Sequence, residues 1–385
     1  MRVVLSKHAL ISTWVAMGLA LVPVYLWESG GVQISHMLLA VGFVAILALR
    51  GFRLDASGML LTALSLLMVL RDGYSAVHYA SFELVTPMLY GIFTWMTFVS
   101  LKTWLDDPRS ARFLWMGLLI SELIAISGVL YFGYGATIGS DGVWRSVGTF
   151  NNPNQLGYYS VCMLSLVGLL YLRGIIGRAM LGAMLAGILF LAVASLSKAA
   201  MLACAAGVIA IAFTLGWKRG RVVVGIVVVA LMLTLLASEY DSGELGKYKF
   251  VKRLQDIGTQ DDDSIASRGY SILTEMGASE FLFGFGSQGV KDIVGHEVHS
   301  TVASYFASFG FVAGFLLVAF LFKWCRRLLF RDGLLGVMIA AFPAMLYGVA
   351  HNGSRFTIFW LLLAFSMSKS GRVDGGVRSS ALRIQ

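Results

Sequence analysis

Charge is scarce in this chain. Of its 385 residues only 13% are Asp, Glu, Lys or Arg, while 58% are hydrophobic. A water-soluble protein of this length needs more charge than that to cover its surface, so a soluble globular enzyme is excluded. Cysteine is scarce as well. Cys162, Cys204 and Cys325 fall in or beside apolar stretches without C-x-x-C spacing. That excludes a disulfide framework and a zinc site, and leaves buried, inert thiols. The net charge of +9 does not point to nucleic acid, because the positive residues sit in short loops between apolar runs.

What is abundant is apolar sequence in runs near the length that crosses a bilayer. The first run, after MRVVLSKHAL, is read as a transmembrane helix and not a cleaved leader, since no small-residue cleavage site follows cleanly. About twelve spans are expected, near 9–27, 34–49, 57–70, 79–101, 112–135, 155–172, 179–195, 198–216, 222–238, 300–322, 333–350 and 355–369. The third and last are short enough to be tilted, buried or re-entrant. The expectation is an all-α polytopic membrane protein with a single membrane domain over 1–385. Two loops exceed simple turns, a first outer loop at 136–154 and a long outer loop at 239–299.

Orientation follows from the basic residues. With the N-terminus in the cytoplasm, the inner loops and tails carry Arg50, Lys102, Arg112, Arg178, Lys218, Arg326 and their neighbours. The short outer loops carry only Arg71, Arg145, Lys198 and Arg355. This bias puts both termini in the cytoplasm. It also puts Arg145, Lys198, Arg268 and His299 on one outer face.

Four stretches on that face carry chemistry. Arg145 to Gly157 reads R-x-x-G-T-F-x-N-P-N-x-x-G, turn-forming residues entering a helix, with Asn154 expected as its N-cap. An ordinary capped loop is the alternative. Ser195 to Ala200 places Lys198 between two apolar helices, either as a retained cation or as a lysine snorkelling from a helix end. Ser264, Ser267 and Arg268 open an expected amphipathic helix with Ile265, Ile272, Leu273 and Met276 as its apolar stripe. A solvated arginine paired with Asp261, Asp262 or Asp263 is the competing account. His296 and His299 form H-E-V-H, which is not the H-E-x-x-H zinc signature. His351 and Arg355 bracket a further polar turn, His351-Asn352-Gly353-Ser354-Arg355, as second-tier candidates.

The order of these motifs resembles the O-antigen ligase and polymerase superfamily, membrane glycosyltransferases that take glycans from a polyprenyl diphosphate carrier. The resemblance runs over residues 140 to 320. It implies a GT-C-like fold and inverting transfer that needs no metal or other cofactor, with undecaprenyl diphosphate leaving. Arg145 would hold the diphosphate or shape its entrance, Lys198 and Arg268 would bind it, and Arg268 would also stabilise charge growing in the transition state. His299, with His296 as the competing choice, would activate the acceptor hydroxyl as a general base or orient it by hydrogen bonding. Two departures stand out: lysine replaces the usual arginine at position 198, and Ser300 follows His299 where asparagine is usual. A lysine keeps charge but loses the bidentate fork.

The function so implied belongs to surface polysaccharide assembly, for O-antigen or exopolysaccharide, on the outer face of the bacterial inner membrane. The donor would be an undecaprenyl-diphosphate-linked glycan, and membrane lipids would surround the protein. The expectation is a polymerase, whose acceptor is another glycan. The alternative is a ligase that transfers glycan to lipid A–core oligosaccharide. A transporter or flippase is the alternative from another class, and would need polar residues near span centres. Two further patterns are weaker. Gly284 to Gly289 fits G-x-G-x-x-G but lacks a surrounding βαβ unit, so a tight turn is expected there. Asp261 to Asp263 reads as a solvated loop.

Overall fold

A computed structural model of the chain describes residues 6–27, 31–51, 54–78, 85–133, 137–138, 144–215, 268–296 and 298–369. In hydrocarbon each backbone N–H and C=O has to be satisfied within its own segment, which makes apolar runs helical. The helices are α1 (Lys7–Ala20), α2 (Ile34–Arg50), α3 (Ala56–His78), α4 (Val85–Leu105), α5 (Ser110–Phe132), α6 (Pro153–Leu172), α7 (Arg178–Ala194) and α8 (Lys198–Thr214). After residue 268 come a 3-10 turn (Tyr270–Thr274), α9 (Ala278–Phe283), α10 (Gly286–Val294), α11 (Thr301–Gly336), α12 (Phe342–Ala350) and α13 (Thr357–Met367). The extended structure among the described residues is a two-residue antiparallel ladder, β1 (Thr137–Ile138) against β2 (Trp144–Arg145).

Among the described residues, four helical stretches are long and apolar enough to cross a membrane: α3, α5, α6 and the run 301–350. The helices α2, α7, α8 and α13 are apolar but shorter. The ninth expected span, 222–238, lies outside the described residues, as do Ile265, Asp261 to Asp263 and the rest of the long loop before Arg268. Two expectations change in detail. The third span is a full 23-residue helix, reaching His78 instead of stopping near residue 70. The described part of the segment after Arg268 is a 3-10 turn and not an amphipathic α-helix, because Gly269 enters with a left-handed backbone (φ 74°) and the turn is spent by Glu275.

The run 301–350 is not one straight rod, because it breaks at Gly310 and at Gly333. As one straight helix of 50 residues it would hold its ends about 75 Å apart. Instead the Thr301 hydroxyl donates to the His351 carbonyl (3.3 Å) and accepts from the Gly353 amide (2.9 Å). The chain therefore turns back, and it breaks at Gly310 (φ 78°, ψ −177°) and Gly333 (φ 71°, ψ −171°), conformations that are nearly exclusive to glycine.

At the centre stands α6, buried along almost its whole length and packed by α7, α8, α12 and α13. A helix apolar all round belongs inside a bundle. The outer helices carry the complementary pattern, with Leu10, Met17, Val41, Leu66, Leu130, Phe213, Phe315 and Phe322 exposed as a lipid-facing surface would require. Glycine sets the closest approach near the outer loop. Gly284 (φ 72°) ends α9 against the backbone of Ser308, and Gly310 (φ 78°) kinks α11 against the backbone of Leu282. A Cβ at either position would collide with main chain. Gly284→Ala should therefore lose more than the about 1–3 kcal/mol of backbone strain alone, seen as a lower melting temperature of the detergent-purified protein.

Candidate functional site

The residues singled out in the sequence lie at one end of the bundle, where α6, α8, α11 and α13 begin and α7 and α12 end. The first outer loop is pinned in place there. Its Thr149 carbonyl accepts from the Tyr25 amide (3.1 Å), and the Asn151 side chain donates to the Trp27 carbonyl (2.7 Å). The ladder presents Arg145 toward α6 and the α7–α8 turn. Arg145 Nη2 donates to Asn154 Oδ1 (2.8 Å), and Nε donates to the Ser195 carbonyl (3.1 Å). Asn154 is thus a partner of Arg145 and not the N-cap of α6. That cap is Asn152, whose side chain accepts from the Asn154 amide (2.7 Å). With Pro153 as the first helical residue, the cap moves two positions earlier than expected.

Arg268 reaches the same place from the long loop. Its Nη1 donates to the Ala350 carbonyl at the end of α12 (2.6 Å), and its own carbonyl accepts from the His299 amide (3.0 Å). A cation at the carbonyl end of a helix is favoured by the helix dipole. The histidines follow in a file. His296 and His299 rings are 4.9 Å apart, His299 and His351 are 6.1 Å apart, and His351 lies 4.9 Å from Tyr347. Tyr347 closes the circuit by donating from its hydroxyl to the Asn154 carbonyl (2.7 Å). Three stretches that are distant in sequence, 145–154, 268–299 and 347–351, therefore meet.

Burial, then Arg268, His299 and Arg145, hold the His351 ring at about 3, well below the ordinary imidazole value of 6.5. His351 is neutral at physiological pH and sits in a positive field. Between those two values the unfolded chain binds the proton that the folded chain refuses, so stability falls as pH drops from 6.5 toward 3. His351→Gln should flatten that acid limb in a melting-temperature series, while leaving the neutral-pH side of the curve in place.

Lys198 is the first residue of α8, on the same end of the bundle. It follows the turn in which Ser195 holds Arg145 and Leu196 takes a left-handed backbone (φ 48°). Leu196 is the non-glycine residue with positive φ among those described, a strained conformation that marks a constrained turn. Arg355 separates from the cluster. Its guanidinium lies over the Tyr90 ring (5.6 Å to the centroid) and faces a neighbouring cleft.

Sequence reasoning missed Tyr347 and the pair Arg71–Asp72. Tyr347 stands four residues before His351, one helical turn away, and that spacing was the available signal. Arg71 was read as an outer-loop residue, but it lies within α3 and donates from Nε and Nη2 to the Gly284 carbonyl (3.2 and 3.1 Å). Asp72 accepts from the amide and hydroxyl of Ser287 (both 3.0 Å), capping α10 from another helix. The G-x-G-x-x-G stretch is thus a docking turn, with Gly284 and Gly286 leaving room for α11 and α3. Among the described residues no group of three His, Cys, Asp or Glu side chains is arranged to hold a metal ion. Chemically, the arrangement offers positive charge beside an imidazole at one end of the helical bundle. Comparison with family models and with curated proteins finds no match for this chain.

Proposed function

We propose that the protein is an inverting membrane glycosyltransferase with a polyprenyl-diphosphate-linked glycan as donor. The observation that carries this reading is the meeting of Arg145, Arg268, His299 and His351 at one end of a helical bundle. Guanidinium forks match phosphate oxygens, and these two arginines are held in place by Asn154, the Ser195 carbonyl and the Ala350 carbonyl. The diphosphate of the donor would lie between Arg145 and Arg268, with Lys198 nearby. As the bond between the anomeric carbon and the phosphate oxygen breaks, negative charge grows on the leaving diphosphate, and Arg268 stabilises it. The acceptor hydroxyl attacks the opposite face of that carbon, inverting it, and gives its proton to His299. His299 is favoured over His296 because it sits between Arg268 and His351.

The architecture that goes with this reading has about twelve spans in a GT-C-like arrangement. The site would face the outside of a bacterial inner membrane, with both termini in the cytoplasm. The reaction would be polymerisation of O-antigen or exopolysaccharide repeats. Purified protein given only lipid-linked repeat units should yield longer lipid-linked chains. Glycan moving once onto added lipid A–core, with no chain lengthening, would make the protein a ligase. A second reading, transport, is favoured by one observation. Glu122, midway along α5, is only 2% exposed, and one of its carboxylate oxygens has no hydrogen-bond partner. Buried ionisable groups in spans often mark transport routes. Lipid-linked glycan crossing reconstituted vesicles without a new glycosidic bond would decide for transport.

A further inference from the structure

At the end of the bundle opposite the arginine–histidine cluster, a cavity of about 230 Å³ lies between the start of α1 and the ends of α2 and α4. Its lining changes with depth. Lys7, His8 and Arg50 stand at the helix ends. Ile11 and Ile46 lie one helical turn farther in, four residues from Lys7 and from Arg50, and Trp104 completes the apolar floor. Ile46 and Trp104 are buried, whereas Leu49, which also lines the cavity, is 56% exposed. Leu10, Val41 and Val44 are exposed on the same two helices, α1 and α2. The cavity thus opens past Leu49 onto the apolar outer surface of the bundle.

The polar rim is held in a bonded network. Arg50 Nη2 donates to His8 Nδ1 (2.6 Å) and to Asp107 Oδ2 (3.0 Å), and Nη1 donates to the Thr103 carbonyl (3.3 Å). A guanidinium only donates, so His8 Nδ1 accepts and the proton of the neutral ring sits on Nε2, 3.4 Å from Ser12 Oγ. Trp104 Nε1 donates to the same hydroxyl (2.9 Å), which ties the floor to the rim. The rim is left positive. Arg50 and Arg109 share the Asp107 carboxylate (3.0 and 2.8 Å). Lys7 is exposed and forms no ion pair among the described residues, so it adds a second uncompensated charge. Arg50 Nε has no hydrogen-bond partner among the described residues, and the side chain is 27% exposed, so one donor remains for a ligand.

We propose that this cavity binds an anionic phospholipid of the adjacent leaflet, with its phosphodiester between Lys7 and Arg50 and the first carbons of an acyl chain on the floor, leaving past Leu49. A basic pocket between helices at the depth of the headgroups is the usual design for such a lipid. Charge selects the class, because a zwitterionic lipid carries a cation beside its phosphate, which Lys7 and Arg50 would repel. The apolar floor selects lipid over free phosphate, which would leave Ile11, Ile46 and Trp104 with nothing to cover. The proposal does not depend on the transferase reading, since the cavity and the arginine–histidine cluster lie at opposite ends of the bundle.

The test titrates the full-length protein in detergent with phosphatidylglycerol or phosphatidylcholine of the same acyl chains, and reads bound lipid by native mass spectrometry. Phosphatidylglycerol should bind the more tightly. Lys7→Gln should weaken it about fivefold, the effect of one basic residue beside an anionic lipid, and leave phosphatidylcholine as it was. Leu49→Trp narrows the opening without changing any charge and should also weaken phosphatidylglycerol. Arg326→Gln removes a cation of α11 that does not line the cavity, and should change nothing. Melting temperatures check that each variant is folded. Equal binding of the two lipids, or phosphatidylglycerol bound as well by Lys7→Gln and Leu49→Trp as by the unaltered protein, overturns the site. An equal loss in Arg326→Gln overturns it too, by making surface charge the cause. Glycerol 3-phosphate, the headgroup phosphate without acyl chains, should not displace the lipid; displacement at matching concentration would make the ligand a free phosphate and overturn the lipid site.

Discussion

Arg268→Ala should reduce glycan transfer by about a hundredfold to a thousandfold, the cost of losing one group aimed at charge that develops in the transition state. Arg268→Lys should restore little of it. The side chain spans from the long loop to the Ala350 carbonyl (2.6 Å), and its backbone carbonyl receives the His299 amide (3.0 Å), so it fixes the histidine as well as bearing charge. A lysine would keep one positive charge but no planar fork with which to hold a helix carbonyl and phosphate oxygens together. The measurement is chain elongation by purified protein on lipid-linked repeats, with the amount folded in the membrane checked for each variant. His299→Ala should be similarly inactive, whereas His296→Ala should retain most activity, because His296 lies beyond His299 in the file of rings. Full activity in the Arg268→Ala protein would remove the central support for the proposed chemistry.

The largest effect on stability is expected at the opposite end of the bundle. There Arg173 and Asp332, with side chains 2% and 6% exposed, form a fork-to-fork pair at 2.8 and 3.2 Å. Arg173 also donates to the carbonyls of Phe365 (2.8 Å) and Ser366 (3.1 Å) at the end of α13. The pair ties α6, α11 and α13 together near the Gly333 break. Asp332→Asn leaves a guanidinium buried without its counter-charge and should cost about 3–5 kcal/mol. Thermal unfolding in detergent would show it as a large drop in melting temperature. Replacing both partners, Arg173→Met with Asp332→Leu, should recover part of the loss, since the Arg173 guanidinium is removed with its carboxylate while Arg331, which also meets Asp332 (4.0 Å), remains. If the double variant were no more stable than Asp332→Asn, the helix-end carbonyls of α13 would be the larger part of Arg173's role.

Cations at this end are largely matched with carboxylates. Arg50 meets Asp107 (3.0 Å), Lys102 meets Asp55 (3.2 Å) and Asp106 (3.6 Å), and Arg327 meets Asp55 (3.8 Å). The basic residues that the sequence assigns to the cytoplasmic side are therefore built into the packing. At the other end the described contacts of Arg145 and Arg268 are with a side-chain amide and backbone carbonyls. Arginine thus joins segments at both ends, through carboxylates at one and through a side-chain amide and backbone carbonyls at the other.

Composition and the length of apolar runs were enough to determine that the chain is helical and of membrane-spanning kind, because a segment in hydrocarbon has only its own backbone to bond with. They also marked Arg145, Arg268, His299 and His351 as candidates, since charge and imidazole stand out against apolar sequence. At the start of α6, Pro153 as the first helical residue makes Asn152 the cap, and the approach of Arg145 then engages Asn154. The meeting of residues 145, 268, 299 and 351 is a matter of tertiary structure, because it depends on the run 301–350 turning back and on α6 standing at the centre. So is the split that sends Arg355 to Tyr90 and the cleft while its neighbour His351 joins the arginines. Sequence spacing determines which face of a helix a residue occupies; which other helix that face meets is decided by packing across the whole bundle.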